Sequence, residues 1–198
     1  MKLVKALSVT FVLLAAFSLH ASTANMRFVS VGGQNAGGEY TYPYNFTING
    51  NPAQLMCVSI DKRVNFGETW TATVETVAAI PGTDPLKTQY DQAAWLFLQQ
   101  ASHNNDPAIN WAAWKVFVPT TDISGIPGAD TFYNEAISRT YAQGEFVNVA
   151  VYLPVDGTQS WGGTPQTFLG ATPEPGTLVM FGSGLLGLAG IARRKLLL

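Results

Sequence analysis

Residues 39–61, EYTYPYNFTINGNPAQLMCVSID, decide the fold class. Over residues 39–48 the chain alternates, with Tyr40, Tyr42, Tyr44, Phe46 and Ile48 on one face and Thr41, Asn45 and Thr47 on the other. A period of two in aromatic and β-branched residues predicts a half-buried strand. Asn49-Gly50-Asn51-Pro52 is a turn signal, and residues 53–61 read as the returning strand of a hairpin. Pro43 has no N–H to give a ladder, so its strand sits at an edge or carries a bulge.

Working outward, residues 69–77 alternate again, with Trp70, Ala72 and Val74 on one face. Asp84-Pro85 and Asp106-Pro107 each offer an acidic cap followed by proline at the first helical position. The first helix is predicted to reach about residue 101, with Leu86, Tyr90, Ala93, Phe97 and Ala101 on one stripe. The second carries Ile109, Ala112, Ala113 and Val116 inward and stops before Pro119. A third is predicted over 131–143, capped by Asp130 and ended by Gly144. Residues 146–153 and 166–171 read as closing strands. Strand-rich ends around an inserted helical segment give an α+β, barrel-like domain. The spacing of its glycines matches no phosphate-binding loop.

The two ends of the chain read as addresses. Lys2 and Lys5 precede an uncharged apolar run over 6–19, too short for an ordinary membrane span, and Ser22 and Ala24 place small residues at −3 and −1 of a cleavage site. Residues 1–24 are therefore expected to be a signal peptide, handled by the secretion translocon and signal peptidase. At the other end Pro173-Glu174-Pro175 precedes an uncharged stretch over 177–192, then Arg193, Arg194 and Lys195. As a helix that stretch would be roughly 24 Å long, a short transmembrane helix whose basic end stays cytoplasmic. This tail, 173–198, resembles the PEP-CTERM sorting signal of exported bacterial proteins. The resemblance implies an exosortase-type enzyme as partner, transient anchoring in the inner membrane, and delivery to the cell surface or an extracellular polysaccharide matrix.

Between the addresses, residues 25–172 carry six basic and twelve acidic side chains, a net charge of −6. That balance repels nucleic acid and anionic membrane. The whole chain has one cysteine, so no intramolecular disulfide forms and no multi-cysteine metal site exists. No calcium loop or paired-acid frame is present, and no cofactor is implied.

Cys57, inside Leu55-Met56-Cys57-Val58-Ser59, reads first as a small buried hydrophobe. Together with GETWTATV over 67–74, YDQAAWLF over 90–97 and INWAAWKVF over 109–117, this segment also resembles bacterial thioester domains. The resemblance implies an acyl bond between Cys57 and the side chain at Asn110, where the family has glutamine, and a covalent surface adhesin. His103, at a helix end, lacks any orienting partner that would make it a catalytic base. Trp114 and Trp161 are candidates for stacking on sugars. The expected function is a non-enzymatic structural or interaction role in the cell envelope, with the thioester adhesin and a polysaccharide-binding module as alternatives.

Overall fold

The computed structural model describes residues 22–172 and Gly184. The expected signal run and the expected transmembrane helix over 177–192 lie outside the described residues. Among the described residues no helix is long and apolar enough to cross a membrane.

Among residues 22–172 eight strands and three α-helices follow in order: β1 Ser22–Val31, β2 Asn35–Ala36, β3 Glu39–Tyr40, β4 Tyr44–Ile48, β5 Asn51–Cys57, β6 Thr69–Thr76, α1 Lys87–Gln99, α2 Pro107–Phe117, α3 Ala129–Ser138, β7 Val149–Pro154 and β8 Phe168–Ala171. Six strands close into an antiparallel barrel in the order β1-β4-β5-β8-β7-β6, while β2 and β3 form a separate ribbon. The hairpin read from sequence is present. Tyr44 faces Leu55 and Ile48 faces Asn51 across β4 and β5, and Asn49 and Gly50 both take the positive φ of a tight hairpin turn.

The barrel interior is aromatic. Phe46 packs on Phe168 at 4.8 Å between ring centres, on Phe28 at 5.3 Å and on Trp70 at 5.7 Å. Such pairs contribute about 0.5–1.5 kcal/mol each beyond the area they bury. A second core lies outside the barrel wall, where Met56, Val151 and Leu169 meet Tyr90, Ala93 and Leu96 of α1 and Ile109, Ala112 and Ala113 of α2.

Several expectations need correction. The strand expected over 39–48 is broken at Thr41–Pro43, because proline cannot continue the ladder, and the Tyr42-Pro43 peptide is cis. Tyr44, Phe46 and Ile48 face inward as expected, but Tyr40 is exposed and Tyr42 turns to meet Phe97 of α1 edge-on at 5.9 Å. The returning strand ends at Cys57, short of residue 61. Asp84-Pro85 does not open α1. Asp84 Oδ1 accepts the Leu86 N–H at 2.8 Å and closes a turn, so the helix starts at Lys87 and Leu86 is exposed. Asp106 does cap α2, accepting from Ala108 N at 2.9 Å. Helix α3 begins at Ala129 after Gly128, with Asp130 inside its first turn, and ends at Ser138. The closing strands are shorter than read, starting at Val149 and Phe168.

The largest surprise is β1, which begins at Ser22. Ser22, Thr23 and Ala24 pair with Val74, Thr73 and Ala72 of β6, half of the register that joins β1 to β6. Ala24 is buried beside Met26 and Phe28. A cut after Ala24 would remove these three residues from the barrel wall. A chain beginning at Asn25 is therefore expected to unfold at lower urea concentration than one beginning at Ser22, by roughly 1–3 kcal/mol, the range for losing a buried contact with its ladder bonds. Coincident urea curves would contradict this.

Candidate functional site

Of the residues singled out for chemistry, Cys57 and Asn110 meet where β5 ends against α2. Asn110 is completely buried. Its Nδ2 donates to the Cys57 carbonyl oxygen at 2.8 Å, and its Oδ1 accepts the Tyr42 backbone N–H at 2.9 Å. Cys57 and Asn110 are thus neighbours, as the thioester resemblance requires, but the carboxamide holds the cysteine's backbone. The thiol itself donates to Ser59 O at 3.6 Å. Burial pushes its pKa up to about 12, against smaller downward pulls from the Ser59 backbone and the nearby Trp114 indole. A thiol with that pKa is protonated at neutral pH and is a poor nucleophile.

His103 does not form a dyad with this cysteine. Its Nδ1 lies 3.0 Å from Gln99 O and 3.0 Å from Ser102 Oγ, and its ring stands edge-on to Phe132. Among the described residues no group of three or more His, Cys, Asp or Glu side chains is placed to hold a metal ion.

The two tryptophan candidates separate. Trp114 is 1% exposed, packed edge-on against Trp111, so it cannot stack on a sugar. Helix α2 is covered on every side, because Trp111 and Trp114 face the barrel core while Ile109, Ala112 and Ala113 face α1. The β2–β3 ribbon closes over Trp111, whose indole N–H donates to Ala36 O at 3.1 Å. Gly37 makes that cover possible. It has φ +61°, and a Cβ there would lie 2.6 Å from the Trp111 ring. Trp161, by contrast, is 53% exposed.

Sequence reasoning missed the exposed rings that accompany Trp161. Phe66 is 58% exposed and stacks on Phe28 at 5.1 Å, and Tyr40 is half exposed. Both line a small cavity of about 110 Å³ beside the Arg63–Glu39 ion pair of 2.8 Å. Ser160 bonds to Thr69 in both directions, N to O at 2.8 Å and Thr69 N to Oγ at 2.9 Å, which fixes the Trp161 loop at this same end of the barrel. Sequence also gave no sign that Glu68 and Gln166 are buried. Glu68 accepts from Asn65, and Gln166 Nε2 donates to Ser59 O and Lys62 O, tying the loops of this end together.

The opposite end is open. Strand β5 pairs with β8 only at Met56 and Cys57, so the two strands part toward the mouth. A cavity of about 810 Å³ lies there, with Ile48, Leu55, Val74 and Tyr152 as its apolar wall and Ser22, Asn51, Gln54 and Thr172 among its polar residues.

A family model described as a PEP-CTERM protein-sorting motif matches residues 171–195, starting on the last residue of β8. No curated protein and no solved structure matches the chain. The class follows from the tail: an exported protein that an exosortase-type enzyme processes and sorts to the cell surface. Pro173, Glu174 and Pro175 and the basic cluster Arg193, Arg194 and Lys195 all fall inside the matched segment.

Replacing Asn110 by Ala leaves the Tyr42 N–H and the Cys57 C=O without their partner beside a buried site. The expected loss is about 2–4 kcal/mol of folding stability, from two buried groups at about 1–3 kcal/mol each. Equilibrium denaturation of the variant checks this, and a loss under about 0.5 kcal/mol, the size of an ordinary surface change, would contradict the clamp.

Proposed function

We propose that this protein is a non-enzymatic envelope protein whose barrel is delivered by its tail and then binds polysaccharide at or beyond the cell surface. The observation that carries the reading is the pairing of a sorting motif placed directly behind β8 with a domain whose only thiol is buried and protonated. Before processing, the uncharged run over 177–192 anchors the chain in the inner membrane, with Arg193, Arg194 and Lys195 on the cytoplasmic side.

Phe66, Tyr40 and Trp161 supply the binding surface. Each offers an exposed ring at one end of the closed barrel, Tyr40 at the end of β3 and Phe66 and Trp161 on loops. Sugar rings present C–H faces that stack on aromatic faces, and a rigid aromatic loses little side-chain entropy on binding. The domain's net charge of −6 favours a neutral glycan over an anionic one.

Two measurements test this. Changing Pro173, Glu174 and Pro175 together to alanine is expected to leave the chain untrimmed in the membrane fraction; normal trimming would contradict the sorting step. Trp161→Ala and Phe66→Ala are each expected to weaken binding to neutral envelope polysaccharide about tenfold, the equivalent of about 1.4 kcal/mol. Unchanged affinity in both variants would remove the aromatic end as the binding face.

A further inference from the structure

Both ends of the folded domain leave through the same mouth of the barrel. Ser22 at the start of β1 and Thr172 just after β8 line the 810 Å³ cavity together. The exposed rings of Phe66 and Tyr40 and the Trp161 loop stand at the other end, where β1 finishes and β6 begins.

We propose that the tail holds this open mouth against the membrane surface, covering the cavity until the tail is removed and turning the aromatic end outward. The inference rests on the membrane tether of the preceding section. Its first support is the length of chain available. Only Pro173, Glu174, Pro175 and Gly176 separate Thr172 from the uncharged run that starts at Thr177. Five residue steps span at most roughly 17 Å even when fully extended. The headgroup layer takes up about 5–8 Å of that on each side of the bilayer. The mouth therefore stands no more than about 9–12 Å from the headgroups, whatever path those four residues take.

The second support is charge. The domain is acidic, and an acidic face brought to an anionic leaflet would be repelled. The lining of the cavity is not acidic. It holds hydroxyls and amides, Thr23, Asn49, Asn51 and Gln54 among them, and no carboxylate or ammonium group. A lining of that composition adds no charge repulsion against lipid headgroups. One consequence is sequential use of the two ends. The aromatic end is available from the moment of export, whereas the mouth becomes accessible only once the enzyme has cut the tail.

The test labels one introduced thiol at a time, with native Cys57 fully buried and silent. Asn51→Cys marks the mouth and Asp61→Cys marks the opposite end, and both positions are exposed. Each is made in the full chain, exported in a host without the sorting enzyme, and in a chain ending at Thr172. The probe is a maleimide on a polyethylene glycol polymer too large to enter the gap. Asp61→Cys is expected to react at similar rates in both forms, while Asn51→Cys reacts at least tenfold more slowly in the tailed form. Equal rates at Asn51→Cys, with the tailed chain recovered in the membrane fraction, would overturn the orientation alone. Recovery of the tailed chain outside the membrane fraction would overturn the tether, and this orientation with it.

Discussion

A single carboxamide holds the architecture together. Asn110 sits on a helix, receives the backbone N–H of Tyr42 beside the break between β3 and β4, and donates to the carbonyl at the end of β5. Three separate pieces of chain are fixed by one fully buried side chain. Because a buried amide left unpaired is costly, the junction tolerates one arrangement only. Once α2 is pinned there, Trp114 is committed to the barrel core and Trp111 to the ribbon that covers it.

The proposed non-enzymatic role leans on that junction. The same contact that brings Cys57 and Asn110 together consumes the Asn110 amide on backbone groups, and burial keeps the thiol protonated. The proposed function is placed at the two ends of the barrel. One carries exposed aromatic rings and an ion pair; the other carries an uncharged cavity and both chain ends. The sorting motif begins on the last strand residue, so delivery and fold share a boundary at Ala171.

Much of this was legible before the structure was known. The Asn49-Gly50 turn and the inward face of β4 followed from alternation and turn chemistry, and Asp106-Pro107 from capping. Asp84-Pro85 shows the limit of that grammar, since the same dipeptide can close a turn three residues ahead of a helix. Strand β1 was hidden because its inward residues begin at Ala24, within a segment whose small side chains also suit a peptidase. Trp114 was misplaced for want of one clue. Apolar or small residues occupy nearly every position of α2, which marks a helix buried on all sides. The exposure of Phe66 and Tyr40 had no local signal, since it depends on which loops close each end of the barrel.

The central claim is that Asn110 keeps its amide nitrogen and serves as a clamp. The intact mass of the protein recovered from its native envelope tests it most directly. The account predicts a mass equal to that of the unmodified sequence between its two processing points. A deficit of about 17 Da, the ammonia lost when a cysteine condenses with a side-chain amide, would contradict it.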